Sequence, residues 1–162
     1  MIFYTLLILL VNKEPMKLST RGQYGTRALL DLALYGGKGS VLLKDIAQRQ
    51  QISLPYLEHL VTPLIAAGVV RSKRGSHGGI QLAKPPREIK LSEIIRLVEG
   101  SIAPVECVTD PKYCSRSSVC VTREIWDELK RAIDGVLESI TLQDLVERQK
   151  EKEQPKEVMY YI

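Results

Sequence analysis

The segment ISLPYLEHLVTPLIAAG, residues 52–68, restricts the fold of this chain more than any other stretch. Large apolar residues recur in it at intervals of three and four, which predicts an amphipathic helix with a single apolar face. Ser53 is the expected N-cap, since its hydroxyl can accept a hydrogen bond from a free amide of the first turn. Pro63 predicts a bend late in the helix, and Gly68 predicts its end. The residues expected on the apolar face are Leu54, Leu57, Leu60, Val61, Leu64 and Ile65.

Two helices precede this segment and a hairpin follows it. Apolar residues at helical spacing predict a helix over residues 20–35, which two glycines end, and a shorter helix over residues 42–50. Two short strands, at residues 69–72 and 80–83, flank the glycine-rich turn KRGSHGG. Three helices followed by a two-stranded basic hairpin is the order of a winged helix-turn-helix domain. The sequence therefore predicts a mainly α fold with a small β-hairpin wing.

This order of elements predicts DNA binding through the third helix and the hairpin. The third helix would enter the major groove, so its outward residues would select bases while the hairpin cations contact phosphates. Taken alone, a basic hairpin is more often a solvated turn, and the net charge of +4 is compatible with a polyanionic partner without requiring one. The glycine-rich turn lacks the lysine and the following helix of a phosphate-binding P-loop. The predicted DNA-binding residues are Ser53, Tyr56, Glu58, His59 and Thr62 on the helix and Arg71, Lys73, Arg74, Gly75 and His77 in the wing.

The second half of the chain predicts three further helices. Ser92 is the expected cap of SEIIRLVEG, and Thr141 that of TLQDLVERQ, where Asp144 occupies the capping-box position. Between them, residues 121–140 carry a long apolar stripe with charges on the opposite face. Such a stripe at the end of a small domain either packs on that domain or requires a partner. The tail from residue 149 is highly charged, and we expect it to be mobile.

All three cysteines of the chain, Cys107, Cys114 and Cys120, fall within one short polar segment. An odd number argues against a secreted disulfide framework. Three thiolates on a loop can instead converge on one metal centre, and thiolates favour iron–sulfur clusters, zinc or cuprous copper. The C-x6-C-x5-C spacing contains no C-x-x-C pair, so it matches neither a zinc knuckle nor a ferredoxin. The spacing alone leaves the nature of the centre open.

Residues 1–15 precede MKLSTRGQYG, which is an ordinary start for a cytosolic chain. Their apolar run is too short to span a bilayer, and it lacks the flanking features of a signal peptide. We expect these residues to be an upstream extension from a misassigned start, and we expect the protein to be cytoplasmic. The alternative is a genuine but disordered arm.

Two stretches, MKLSTRGQYGTRALLDLAL and LKDIAQRQQISLPYLEHLVTPLIAAGVVRSKRGSHGG, closely resemble the Rrf2 family of bacterial transcription regulators. The likeness extends over nearly all of residues 16–147, through LVEGSIAPVE, the cysteines and ITLQDL. Its most specific parts are the I-S-x-x-Y-L-E-x-L helix and the R-G-x-x-G-G turn. The wing departs from the family at Ile80, where an aromatic residue is usual.

The resemblance implies a cytoplasmic homodimer that binds palindromic operators in double-stranded DNA. It makes the long helix the dimerisation helix, and a dimer would place the two reading helices about one DNA turn, roughly 34 Å, apart. Glu58 resembles a glutamate that tunes the choice of DNA site in one branch of the family. The expected organisation is a DNA-binding domain at 16–90, a connecting helix and cysteine loop at 91–120, dimerisation and C-terminal helices at 121–148, and a tail at 149–162.

The resemblance also implies an iron–sulfur cluster, which we expect to be 2Fe–2S, held by Cys107, Cys114 and Cys120. Its fourth ligand stays open. One branch of the family uses a histidine at the position of Arg123, and another uses an acidic residue of the partner's first helix, close to the position of Gln23. The remaining candidates are Glu106, Asp110, Glu124, a carboxylate of the other subunit, a small thiol and water.

Three regulatory functions are open within the family. The first is a repressor that senses iron–sulfur cluster status and controls cluster-assembly genes, as in the IscR branch. The second is a CymR-like regulator of cysteine and sulfur metabolism, in which the cysteines are redox thiols without a cluster. The third is a nitric oxide sensor of the NsrR type. Outside the family, one alternative is a small electron-transfer or metal-carrying protein, but such a protein would not need the basic wing. An enzyme is not indicated either, because the sequence contains no local motif that pairs a nucleophile with a base.

Overall fold

The structure, a computed structural model, describes residues 18–37, 39–75 and 78–154. Over these residues the chain is mainly helical with one antiparallel pair of strands, which confirms the predicted fold class. The elements are α1 (Thr20–Tyr35), α2 (Leu43–Gln50), α3 (Leu54–Ala66), β1 (Val70–Lys73), β2 (Gly79–Leu82), α4 (Leu91–Glu99), α5 (Glu106–Thr109), α6 (Val121–Ser139) and α7 (Leu142–Glu153), with single 3-10 turns at Pro86–Glu88 and Pro111–Tyr113. Of the helices in these described ranges, none combines the length and the apolar character needed to cross a bilayer.

The core lies where α1, α2 and α3 pack together and are covered by α4 and α7. The apolar face of α3 is buried as predicted at four positions, which are Leu57, Leu60, Val61 and Leu64. Leu54 and Ile65, which were expected on the same face, are exposed. Both lie at one edge of the stripe, roughly 60–80° around the helix from Leu57, so they project past the core.

An ion pair between a buried aspartate and a partly exposed arginine joins α1 to α2. The Asp31 carboxylate is fully buried and accepts hydrogen bonds from Arg49 at 2.6 and 3.0 Å and from Gln50 Nε2 at 2.9 Å. The guanidinium carbon of Arg49 also lies 4.5 Å from the centre of the Tyr35 ring. The hydrogen bonds to Asp31 raise the pKa of Arg49. Because a buried carboxylate is costly without partners, this pair determines how the two helices meet.

The wing consists of β1 and β2 in antiparallel register, with Lys73 opposite Gly79. Each strand is shifted by one residue from its predicted position. Val41 extends the hairpin, because it exchanges two backbone hydrogen bonds of 2.8 Å with Ile80. Gly79 has a φ of +144°, and a Cβ at this residue would lie 2.5 Å from the Val41 carbonyl oxygen. The last glycine of the R-G-x-x-G-G turn is therefore required by this close approach of two backbones.

Two predicted helix caps differ from the structure. Ser53 stands at the N-cap of α3, but its side chain makes no capping hydrogen bond to any residue that the structure describes. Pro55, in the first turn, has no N–H, which removes one of the two amides that an N-cap hydroxyl can use. Ser92 lies inside α4, which begins at Leu91, and its hydroxyl donates instead to Glu138 of α6. A tertiary contact has thus taken the place of the predicted cap.

The capping box predicted for the last helix is confirmed. Thr141 Oγ1 accepts from the Asp144 amide at 3.2 Å, and the Asp144 carboxylate accepts from the Thr141 amide at 2.7 Å. The hydrogen bond from the Thr141 amide lowers the pKa of Asp144. Because α7 continues to Glu153, the first residues of the tail that we expected to be mobile from 149 are helical. Residues 155–162 and the predicted extension at 1–15 lie outside the described residues.

Candidate DNA interface and cysteine segment

Opposite its buried stripe, α3 presents a polar and exposed face. Three of the predicted reading residues lie on it, namely Glu58, His59 and Thr62, and Ser53 is exposed at the N-cap. The Thr62 hydroxyl donates to the carbonyl of Glu58 at 2.8 Å, so its hydrogen is used within the helix while its oxygen can still accept. The structure thus places acceptors, a carboxylate and an imidazole on one accessible surface.

Tyr56 differs from the other predicted reading residues because it is half-buried. Its ring meets Tyr24 of α1 edge-to-face, with the ring centres 6.1 Å apart. Arg27 lies over the Tyr24 ring at 5.3 Å and donates to the Gln50 carbonyl at 2.7 Å. Tyr56 therefore packs α3 against α1, and Arg27 is an exposed cation beside this junction that the sequence reasoning missed. Nothing in the spacing of Arg27 separates it from an ordinary solvated arginine.

The wing places its predicted cations in solvent. Arg71, Lys73, Arg74 and Gly75 are all exposed, and only Val70 of β1 is buried. The Arg71 side chain lies within hydrogen-bond distance of Gln81, its partner across the hairpin. Among the described residues, the three cations form no ion pair with a carboxylate, so they can bind an external anion. His77 lies outside the described residues.

The cysteine segment starts with α5 and ends at the first turn of α6. Cys107 lies in α5, Cys114 follows a 3-10 turn, and Cys120 is the N-cap of α6. All three thiols are free and partly buried. The Ser117 hydroxyl donates to the Cys114 carbonyl at 2.5 Å, and Arg123 Nε donates to the Cys107 carbonyl at 2.8 Å. The segment is therefore held through backbone carbonyls, which leaves the sulfur atoms available.

Hydrogen-bond donors beside Cys120 stabilise its thiolate relative to its thiol. Its sulfur lies 3.1 Å from Thr122 Oγ1. This hydrogen bond, helped by the backbone amide of Arg123, lowers the pKa of Cys120. The thiolate is the form of cysteine that binds metals and reacts with oxidants. Cys120 therefore has the chemistry that either a metal ligand or a redox thiol needs.

The three thiols fit an iron–sulfur cluster in donor type, but they are not gathered around one point. Within residues 18–37, 39–75 and 78–154, no three cysteine, histidine, aspartate or glutamate side chains lie close enough to share a metal. Arg123, at the position of the histidine ligand of one branch, directs its guanidinium to the Cys107 carbonyl. In the described conformation the three cysteines therefore do not form a site for a single metal ion.

The long helix α6 leaves much of its apolar stripe exposed. None of its residues is buried in the chain as described, and Val121, Ile125 and Val136 are 70%, 55% and 59% exposed. The opposite face contacts α4 and α5, for example through the bond from Ser92 to Glu138. Leu129 and Ile133 of the stripe are half-buried, so packing on its own domain covers only part of the stripe among the described residues.

Comparison with known proteins gives a consistent result. Residues 18–148 match the family model Rrf2, described as iron-dependent transcriptional regulator. The chain is 47% identical over 131 residues to the protein rrf2 of Nitratidesulfovibrio vulgaris, covering 81% of this chain and 87% of that protein. It is 43% identical over 130 residues to the HTH-type transcriptional regulator CymR of Bacillus subtilis, covering 80% of this chain and 89% of that protein. Among solved structures it is similar to T. potens IscR, with a TM-score of 0.74 and 43% identity over 90% of this chain and 96% of that one.

These matches span the helix-turn-helix, the wing, the cysteine segment and the long helix. The relatives are transcriptional regulators and not enzymes. Both IscR and CymR proteins are among these relatives. The relatives therefore show that the chain is a transcription regulator, but they belong to two different branches of the family. The chain belongs to the Rrf2 family of DNA-binding transcription regulators.

Proposed function

We propose that this regulator is a cytoplasmic homodimer that represses cluster-assembly genes and senses iron–sulfur cluster status through Cys107, Cys114 and Cys120. The observation that carries the proposal is the position of the cysteine segment in the chain. The segment runs without a break into α6, and Cys120 is itself the N-cap of that helix. A change in the order of the segment would therefore act directly on the helix that we assign to dimerisation.

Each subunit would read DNA through α3 and the wing, within a domain that we place at residues 16–90. The exposed polar side chains of α3 would contact base edges, and the exposed wing cations would contact phosphates. Glu58 would contribute selectivity, because a carboxylate can accept a hydrogen bond from the amino group of cytosine and is repelled by phosphate. The proposed contacts are Ser53, Tyr56, Glu58, His59 and Thr62 on the helix and Arg71, Lys73, Arg74, Gly75 and His77 in the wing.

The exposed stripe of α6 supports the homodimer. Val121, Ile125 and Val136 lie on one face of a helix that buries no residue within the described chain. Covering this face with the same face of a second copy would give a two-fold symmetric pair, as palindromic half-sites require. The two reading helices would then lie about one DNA turn, roughly 34 Å, apart.

The cysteine segment would transmit its state through Arg123. When bound, the cluster supplies an oxidant-sensitive link among the three thiolates. No three metal-binding side chains of the described residues surround one metal ion, and we propose that cluster-bound and cluster-free chains differ in the path of the segment. The hydrogen bond from Arg123 to the Cys107 carbonyl joins that path to the first turn of α6, so a change in one would be transmitted to the other through this contact. If DNA binds more tightly to the chain with one path of the segment than to the chain with the other, gain or loss of the cluster changes the DNA affinity.

The fourth ligand of the proposed cluster is not supplied by residue 123. A guanidinium has no lone pair to offer a metal, and that of Arg123 is engaged with the segment's backbone. Glu106, Asp110 and Glu124 are exposed carboxylates on or beside the segment and stay candidates within this chain. A carboxylate of the other subunit, a small thiol and water complete the proposed set.

A second candidate function is a CymR-like regulator of cysteine and sulfur metabolism, in which the cysteines act as redox thiols. Two observations favour it. The chain is 43% identical to a CymR protein, and its thiols are free, separate and, at Cys120, shifted toward the thiolate. A nitric oxide sensor of the NsrR type is a third and less supported candidate.

Anaerobic reconstitution with iron and sulfide distinguishes these candidates. We expect the wild-type protein to develop visible absorption bands and to retain about two irons and two sulfides per subunit, as a 2Fe–2S cluster requires. The variant with Cys107, Cys114 and Cys120 replaced by alanine is expected to stay colourless. Circular dichroism of both proteins is the control for folding. We expect equal spectra, because the three partly buried cysteine side chains are not part of the hydrophobic core. A wild-type protein that stays colourless and free of iron would contradict the cluster sensor and favour the CymR-like regulator with redox thiols.

A further inference from the structure

A cavity of about 380 Å³ lies at the meeting point of α4, the loop that follows it, α5 and α6. Its size falls within the range of small-molecule sites in proteins, which is about 300–1,000 Å³. It is separate from both the exposed face of α3 and the three cysteines. The side chains that matter for its chemistry are Ile95, Arg96, Ile102, Lys130, Asp134 and Leu137.

The cavity combines an apolar surface with charges of both signs. Ile95, Ile102 and Leu137 supply the apolar part, and Ile95 is only 2% exposed. Lys130 and Asp134 form an ion pair at 2.5 Å, yet their side chains are still 28% and 48% exposed and can contact a ligand. A few charged groups around an apolar surface is the usual composition of a site for a small organic ligand.

Arg96 is the cation of the cavity with the most freedom to bind an anion. It is exposed, and it forms no ion pair within 4 Å in the part of the chain that the structure describes. A guanidinium binds a carboxylate through two parallel hydrogen bonds, which gives both strength and orientation. Asp134, on the other wall, offers an anion to an ammonium group.

The cavity stays open in the proposed dimer because of the geometry of α6. An α-helix turns about 100° per residue, so Lys130, Asp134 and Leu137 project roughly 120–180° around the helix from Ile125. The exposed apolar stripe of α6 includes Ile125 and Val136. A partner that covers the stripe would therefore leave the cavity face of the helix free.

We propose that this cavity binds a small α-amino acid with an aliphatic side chain. The carboxylate of the ligand is bound by Arg96 and Lys130, and its ammonium group by Asp134. Its side chain packs on Ile95, Ile102 and Leu137. Because the walls belong to the connecting helix α4, the cysteine segment and the long helix α6, such a ligand contacts the elements that join the DNA-binding domain to the long helix.

Isothermal titration calorimetry of the full-length protein tests this site. L-leucine is the first ligand, 4-methylpentanoate is the same molecule without its ammonium group, and 3-methylbutan-1-amine lacks the carboxylate. We expect saturable binding of L-leucine, weaker binding of 4-methylpentanoate and no measurable binding of the amine. We also expect Arg96→Ala to weaken L-leucine binding at least tenfold, which is about the effect of losing one charge-assisted hydrogen bond.

Two further variants make the result specific. Arg87→Ala removes an exposed arginine of the 3-10 turn before α4 and is expected to leave L-leucine binding unchanged. Asp134→Asn is expected to remove the preference for L-leucine over 4-methylpentanoate. The proposal is overturned if millimolar L-leucine gives no saturable heat with the wild type, or if Arg96→Ala and Arg87→Ala bind it equally well. DNA binding measured on the same samples separates this outcome from a failure of the regulator assignment.

Discussion

Replacing Arg71, Lys73 and Arg74 together by alanine is expected to weaken binding to double-stranded DNA roughly a hundredfold. The three side chains are exposed on the wing, so the change removes charge without removing core packing. Each cation that neutralises a phosphate releases about one counterion from the duplex, and the slope of log affinity against log salt should fall by roughly three. Fluorescence anisotropy with a labelled duplex, selected by the wild-type protein from a random pool, measures both quantities.

A matched variant separates wing contacts from the general attraction of a basic protein to DNA. Arg148, Lys150 and Lys152 are exposed on α7, and their replacement by alanine removes the same three charges. Exposed charges farther from the duplex than about 8–10 Å are largely screened at physiological salt, so this variant should bind nearly as well as the wild type. Equal losses in the two triple variants would show that the wing has no specific part in binding.

Arg49→Ala is expected to lower the free energy of unfolding by about 2–3 kcal/mol, because it leaves a buried carboxylate poorly partnered while the arginine itself is partly exposed. The Asp31 carboxylate is fully buried, and after the substitution it would keep only the bond from Gln50 at 2.9 Å. The loss is a large part of the total stability of a domain of this size, which is typically 5–15 kcal/mol. Urea unfolding followed by circular dichroism measures the change.

Two companion variants identify the buried charge as the cause. Asp31→Asn in the Arg49→Ala background removes the unpaired carboxylate and should recover part of the lost stability. Lys44→Ala, an exposed substitution on the same helix, should change the free energy of unfolding by less than about 0.5 kcal/mol. If Arg49→Ala costs no more than Lys44→Ala, the ion pair does not fix α1 to α2.

The parts of the fold that could be predicted are those with a local physical signature. The apolar spacing was sufficient to place α3 and four of the six residues expected on its buried face, and the glycine-rich basic turn was sufficient to place the wing. Thr141 and Asp144 form the predicted capping box because all four atoms involved lie within one turn. In each case the residues that decide the structure are neighbours in the sequence.

The parts that could not be predicted depend on contacts between distant residues. No pattern in the sequence predicts that Asp31 is buried and paired with Arg49, because this pairing depends on how α1 and α2 cross. Ser92 has the features of a helix cap, yet its hydroxyl donates a hydrogen bond to Glu138, which is 46 residues away in the sequence. Tyr56 is polar enough to face DNA, but the ring of Tyr24 covers part of it.

The cysteine site shows the same limit in a functional setting. The spacing of Cys107, Cys114 and Cys120 predicts thiolate chemistry in one segment, and the structure places all three there as free thiols. Whether they converge depends on the path of the backbone between them, which the hydrogen bonds of Ser117 and Arg123 determine. Spacing in the sequence carries no information about that path.

The coupling between the cysteine segment and DNA binding is tested most directly by one comparison of affinities. Anisotropy on the selected duplex is measured anaerobically for wild-type protein before and after reconstitution with iron and sulfide, and for the variant with all three cysteines replaced by alanine. We expect the two wild-type states to differ in affinity by at least about fivefold, the lower end of typical allosteric coupling, and we expect the variant to show no difference. Equal affinities for a wild-type protein that demonstrably gains a cluster would contradict the proposed sensor.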